Sequence, residues 1–469
     1  MVFSSAVFLL IFLPVVLLAY YIVPERARNP VLLGASLLFY AWGEPVYILI
    51  MLFSTVFDYG NGLLLEYLDA VGKAKWRKGV LALSVTVNIG LLCFFKYTDF
   101  LIGTVDSLTG AGLSLLHIAL PVGISFYTFQ TLSYTIDVYR RQVKAQRRLL
   151  DFGMYICMFP QLIAGPIVRY RDIETQLHAR TLSADSICDG LFRFVQGLGK
   201  KVLLANSLGI VWDEIAALDG HQTAMTSLIG AAAYMLQIYF DFSGYSDMAI
   251  GIGKMLGFDF LENFRYPYES HSVTEFWRRW HISLGTWFRE YLYIPLGGNR
   301  RGFPRQVVNL LIVWGLTGLW HGAGWNFLLW GLYFFALLVL EKRFLSKCLP
   351  LIPSFVSRLY TLAAVLVSWV IFASDDLSHA LGYLASLLGR NGFADDAAWF
   401  YLCEHWLILA VGAFFSVSYA KSKYAKYLGK IANERVRLGV RMTVAAVLYA
   451  VSLLTVINSA YNPFLYFRF

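Results

Sequence analysis

Apolar residues along this chain come in runs far longer than a soluble core requires. Residues 6–21, 80–95, 230–240, 307–316, 327–340, 360–373, 406–417 and 443–457 are nearly free of charge. About 20 apolar residues span a bilayer as a helix, and the shorter runs here are bracketed by Trp and Tyr that suit the interface. A closed β-barrel would show alternating segments of about ten residues. These runs do not alternate, so the membrane elements are predicted to be helical. The first run has no basic residue ahead of it and no small-residue cleavage site before Pro24. It reads as a retained helix and not as a cleaved signal.

Polar positions complete the pattern. Lys and Arg gather between the apolar runs, at 26–28, 73–78, 140–148, 169–171, 200–201, 300–305, 342–347 and 421–441. Acidic pairs stand apart from them, at Asp213 and Glu214, Asp375 and Asp376, and Asp395 and Asp396. By the positive-inside rule the basic loops face the cytoplasm and the N-terminus starts outside. Short spans at 31–42 and 46–57 flank the turn signal Gly43-Glu44-Pro45. The chain then exits over 80–95 and returns over 115–134. Segment 152–168 holds Pro160, Gly165 and Pro166 between basic flanks, and is expected to be broken or re-entrant. Crossings follow at 186–211, 223–240, 307–320, 323–340, 360–373, 406–419 and 441–457, with 259–305 at the cytoplasmic interface. The expected architecture is all-α and polytopic, with roughly eleven to twelve transmembrane helices. No tandem repeat is visible, so residues 1–469 are read as one membrane domain.

Composition supports this reading. The chain is 58% hydrophobic and 15% charged, against about 45–50% and 25% in soluble proteins. Its net charge of +9, from 39 basic and 30 acidic residues, is split among membrane loops, which argues against nucleic acid as a partner. The five cysteines have no metal or redox spacing and read as packing residues.

Three polar islands interrupt the apolar runs, and ionisable groups at membrane depth are functional candidates. The first, 237–247, places Asp241, Ser243, Tyr245 and Asp247 at the end of a long apolar helix, either satisfying that terminus or lining a site. In the second, Ser272 and Glu275 form a capping box that starts a helix. From it Trp277, Trp280, His281, Leu284, Trp287, Phe288 and Tyr291 recur at three- and four-residue steps, predicting one amphipathic interfacial helix. His281 falls on its apolar face. Arg278 and Arg289, about three turns apart, fall near one another on the polar arc. The third island holds His321: between Arg305 and Glu341 there is no Asp, Glu, Lys or Arg, and His321 is the only histidine. Gly315, Gly318 and Gly322 share a helical face beside it, permitting close helix approach or leaving room for a chain-like substrate. Thr317, one turn earlier, is placed to bond His321. No HxxxH, cysteine or carboxylate companions suggest a metal, and no Gly-x-Ser-x-Gly elbow suggests a serine hydrolase.

The islands and their surroundings resemble the membrane-bound O-acyltransferase family, in its bacterial, alginate O-acetylation-type branch. The resemblance runs through Met1-Val-Phe-Ser-Ser5, Leu38-Phe-Tyr-Ala-Trp42, Pro121-Val-Gly-Ile-Ser-Phe-Tyr127 and Phe159-Pro-Gln-Leu-Ile-Ala-Gly-Pro166. It continues in the 239–249 string, Glu275-Phe-Trp-Arg-Arg-Trp-His-Ile-Ser283, Tyr291-Leu-Tyr-Ile-Pro-Leu-Gly-Gly298, Gly318-Leu-Trp-His-Gly322 and Asn462-Pro-Phe-Leu-Tyr-Phe-Arg-Phe469.

The resemblance implies that His321 is the catalytic histidine and His281 the second polar position, in helices arranged around a central tunnel. Asp241, Ser243, Tyr245, Asn263, Arg278, Arg289, Thr317, Trp320 and Asn326 are then the expected substrate contacts. Acetyl-CoA is the expected donor, attracted by the basic loops. An envelope polysaccharide (alginate-like, cellulose or peptidoglycan) is the expected acceptor, reached through an extracytoplasmic SGNH-type partner. The expected location is the bacterial inner membrane. The alternatives are D-alanyl transfer to teichoic acid, which the wider resemblance includes, and a non-enzymatic polymer exporter. An exporter would be expected to show paired inverted repeats, which this sequence does not.

Overall fold

The computed structural model describes residues 1–163, 165–459, 461 and 465. Among them there are helices and connecting segments but no strand. Five helices are long and apolar enough to cross a membrane: Ile48–Ala70, Ala74–Thr109, Ser354–Ala373, Asp396–Phe415 and Glu434–Asn458; Phe8–Ile22 is apolar but shorter. Packing divides the chain into two compact units, Met1–Phe194 with Met248–Leu261, and Val195–Asp247 with Glu262–Phe469.

The first unit opens with α1 (Phe8–Ile22), α2 (Glu25–Ala41), α3 (Ile48–Ala70), α4 (Ala74–Thr109), α5 (Ile124–Tyr139) and α6 (Leu149–Cys157). Helices α3, α4 and α5 pack on one another. Their interior holds the buried carboxylate of Asp58, which accepts from Ser84 Oγ at 2.6 Å, Asn88 Nδ2 at 2.7 Å and Asn61 Nδ2 at 3.1 Å. The return span predicted at 115–134 begins later than its hydrophobicity suggests. Asp99 takes the backbone N–H groups of Leu116 and Ile118 at 2.8 and 2.9 Å and holds that stretch in a non-helical path. Helix α5 starts only after Gly123, which has φ +78°. Segment 152–168 is broken, as expected. Helix α6 stops at Cys157, a single turn covers Phe159–Leu162, and residues 166–169 are irregular.

Between the units in sequence runs α7 (Ala184–Gly199), continued by a π-helical turn at Lys200–Ala205. The lysine doublet there is neutralised from the long helix α8 (Ala224–Met255). Lys201 Nζ lies 2.5 Å from Asp241 Oδ1, and Lys200 Nζ lies 2.7 Å from Asp247 Oδ2. The polar island at 237–247 is therefore in the interior of α8, not at its end as predicted. Ion pairing makes a mid-helix position tolerable, because each buried charge has a counter-charge.

The amphipathic helix predicted from Ser272 to Tyr291 is two helices. α9 (Val273–Arg279) begins at the predicted N-cap, with Ser272 Oγ accepting from Glu275 N at 3.0 Å. Only this half of the capping box forms, because the Glu275 carboxylate accepts from His271 N at 2.9 Å and pairs with Arg279. The helix then breaks at Trp280 and His281, and α10 (Ile282–Phe288) restarts beyond. His281 adopts φ +45°, ψ +53°, in the left-handed region. The cause is a competing backbone partner. Ile282 N donates to the Asn263 carbonyl at 3.0 Å, and Arg265 N donates to the Arg279 carbonyl at 2.9 Å. Segment 263–265 thereby takes hydrogen bonds that a continuous helix would keep for itself.

Glu341 reinforces the start of α9 from far along the chain. Its carboxylate accepts from Val273 N at 2.6 Å, Thr274 N at 2.8 Å and Thr274 Oγ1 at 2.6 Å. Helices α11 (Phe303–His321) and α12 (Trp325–Leu340) form a tight hairpin against which α13 (Ser354–Ala373) packs. The glycines explain the tightness. A Cβ on Gly318 would strike the Phe327 carbonyl oxygen, and one on Gly331 would strike that of Trp314. Of the two uses predicted for the Gly318 face, close helix approach is the one observed.

Candidate active site

His321 is the last residue of α11, at the point where Gly322 turns the backbone to an extended path. Its imidazole is buried among aromatic rings. Ring centroids stand 5.0 Å from Trp320, 4.9 Å from Trp330 and 5.4 Å from Phe372, all near-perpendicular. Trp277, Trp314 and Trp369 extend this wall, each stacking or edging against its neighbours. Such a box excludes water and raises the strength of any electrostatic contact made inside it.

His281 is also buried, only 1% exposed. Its ring meets Phe242 edge-on at 4.7 Å and stands 6.1 Å from Trp320. Trp320 is thus in ring contact with both histidines. His281 Nδ1 lies 3.1 Å from Asn263 Oδ1, which also accepts from Ser283 N at 3.2 Å and Ser283 Oγ at 2.9 Å. Asn263 Nδ2 donates to Ser246 Oγ at 3.1 Å. Burial lowers His281 from 6.5 to about 3, so the ring is neutral at physiological pH.

The other expected contacts divide into groups. Asp241 is committed to Lys201, and its second oxygen accepts from the Leu465 N–H at 3.0 Å. Ser243 and Tyr245 are buried on the same helix. Thr317 donates to the Val313 carbonyl at 2.7 Å, and Asn326 Nδ2 to the Ser374 carbonyl at 2.8 Å. Arg278 and Arg289 are exposed. The break at 280–281 lies between them, so they do not share one helical face as predicted. The C-terminal string 462–469 falls outside the described residues except for Leu465. Sequence reasoning missed Trp330, Phe372, Ser283 and Glu341. Trp330 and Phe372 sit in apolar runs where nothing marks one aromatic ring from another. Among the described residues no three His, Cys, Asp or Glu stand close enough to hold a metal ion.

The model of the membrane-bound O-acyltransferase family matches residues 144–374, a stretch containing both histidines. A Pseudomonas syringae pv. tomato protein described as "Probable alginate O-acetylase AlgI" is 46% identical over 81% of this chain and 74% of its own length. The chain belongs to the membrane-bound O-acyltransferase family. Membership makes it a multi-pass membrane protein and an O-acyltransferase. A Helicobacter pylori peptidoglycan O-acetyltransferase is 36% identical over 84% of this chain and 80% of its own. A Bacillus subtilis teichoic acid D-alanyltransferase is 26% identical over 53% of this chain and 65% of its own.

Proposed function

We propose that this O-acyltransferase takes an acetyl group from cytosolic acetyl-CoA and moves it across the bacterial inner membrane toward hydroxyls of an envelope polysaccharide. The final transfer is made by an extracytoplasmic SGNH-type partner. The observation that carries the reading is the pair of buried imidazoles flanking Trp320, in a chain 46% identical to an alginate O-acetylase. The same proposal includes roughly eleven to twelve crossings around a central tunnel.

In the step this chain carries out, His321 removes the proton of the hydroxyl that first receives the acetyl group, before the partner passes it on; that hydroxyl's own pKa is too high for ionisation near neutrality. The oxygen adds to the thioester carbonyl, the carbon–sulfur bond breaks, and the departing thiolate takes up a proton. Exposed Arg278 and Arg289 attract the anionic donor from the cytosol. A second reading, D-alanyl transfer to teichoic acid, draws on the Bacillus subtilis relative.

The test is transfer of labelled acetyl from acetyl-CoA in vesicles carrying the protein with candidate partners and polymers. The wild-type chain is expected to move label into polymer, and His321→Ala to lose about 10²-fold or more at normal membrane abundance. A variant that keeps more than about a tenth of the rate makes His321 structural. Label accepted only from a D-alanyl donor selects the second reading.

A further inference from the structure

We infer that Asn263 is a positioning residue of the acyl-transfer site: it pins the proton of His281 on Nδ1 and leaves Nε2 as a buried acceptor for a hydroxyl. The inference rests on the acyl-transfer reading for what the acceptor does, and on geometry alone for its existence.

The geometry is closed at every point but one. The backbone N–H of Ser283 can only donate, so the Asn263 atom 3.2 Å from it must be the amide oxygen. The opposite side of the amide, Nδ2, then donates to Ser246 Oγ at 3.1 Å. The orientation of the amide follows from these two contacts. An amide oxygen has no hydrogen to give, so His281 Nδ1, 3.1 Å away, donates to it; Ser283 Oγ stands farther off, 3.5 Å from Nδ1, and gives its own hydrogen to Asn263 Oδ1 at 2.9 Å. A neutral imidazole has a single N–H. Nε2 therefore presents a lone pair, and it is buried with no described hydrogen-bond partner.

Two features argue that this vacancy has a use. Buried polar atoms in folded proteins nearly always find a partner, and each exception asks for an explanation. Here three donors around Asn263 are arranged with care while the one remaining nitrogen is left open. The backbone of His281 is also left-handed, an uncommon conformation for any residue but glycine, and such residues gather at functional sites. The ligand that fits is a neutral O–H donor. It is a second hydroxyl of the acceptor, next to the reacting one: Nε2 accepts its hydrogen bond and holds the acceptor in place, while the reacting hydroxyl gives its own proton to His321 and its oxygen to the acyl carbon.

Two measurements test this. The first is nitrogen-15 NMR of the detergent-solubilised full chain labelled at histidine, with His281→Gln used to assign the resonance. Nε2 is expected to show the unprotonated, pyridine-type shift and Nδ1 the protonated one. A protonated Nε2 overturns the inference whatever polymer or donor the enzyme uses, so this arm fails separately from the acetyl assignment.

The second compares Asn263→Ala with Asn263→Asp at matched membrane abundance. The alanine variant is expected to lose turnover by about tenfold or more, with little change in the donor KM and with mixed tautomers. The aspartate keeps an acceptor for Nδ1 and for Ser283, and Ser246 can turn its hydroxyl to donate to it. It is expected to restore the Nδ1–H tautomer and most of the turnover. Unchanged turnover in the alanine variant, or an aspartate variant no better than alanine, overturns the role assigned to Asn263.

Discussion

Around Asp58 in the first unit, Ser84, Asn88 and Asn61 all turn their donors onto one carboxylate, and Thr131 extends the set by bonding Asn88 at 3.3 Å. Around His281 in the second unit, the donors converge on Asn263 and the imidazole keeps a nitrogen with no described partner. Both clusters bury polar groups in an apolar protein. The first is complete without a ligand, and completeness is what a structural tie between α3, α4 and α5 needs. The second is complete in all but the one atom that would meet a reactant. Burial and polarity alone do not separate a site from a brace; the difference lies in whether the hydrogen bonds close.

Substitutions ought to respect that difference. The largest effect is expected at His281. Phenylalanine there fills much the same volume, yet it leaves Asn263 Oδ1 short of one donor and removes Nε2. His281→Phe should lose about 10²-fold or more in transfer rate while remaining folded and inserted. An active phenylalanine variant would reduce His281 to packing and erase the contrast. The opposite outcome is expected at Asp58. Asp58→Leu orphans the donors of Ser84, Asn88 and Asn61, and each buried orphan costs about 1–3 kcal/mol. Its thermal unfolding midpoint in detergent should fall, while turnover per folded molecule should hold. Lost turnover at full stability would place Asp58 in the chemistry.

A smaller effect concerns pH. Because burial lowers His281 to about 3, the unfolded chain binds a proton between about pH 3 and 6.5 that the folded chain refuses. This contribution to stability is present above pH 6.5 and is lost as pH falls below it. The slope is at most about 1.4 kcal/mol per pH unit. Unfolding midpoints measured from pH 7 down to 5 should show it, and His281→Gln should flatten it.

Much of this was legible in the sequence, for local reasons. The apolar runs announced helices, and the Pro and Gly of 152–168 announced a break. Ser272 and Glu275 announced a helix start, and the histidine strings announced the family. What stayed hidden depends on partners distant in the chain. Nothing in the period of 273–291 shows that segment 263–265 will take hydrogen bonds at residues 279 and 282. Nothing near Glu341 shows that its carboxylate will cap α9 some 68 residues earlier. Lys200 and Lys201 fall inside the predicted 186–211 crossing, and nothing local shows the carboxylates that neutralise them from another helix.

Those two lysines bear on how the protein is made. Their segment leaves the ribosome before the helix that carries Asp241 and Asp247. A lysine at the centre of a lone inserting helix costs about 2.5–3.5 kcal/mol on the translocon scale. On the proposed crossings, two together keep that segment from partitioning by itself, and it is expected to enter the bilayer with α8 as a charge-compensated hairpin. Replacing Asp241 by a neutral residue would then show first as nascent chains diverted to membrane proteases, before any change in the kinetics of the survivors.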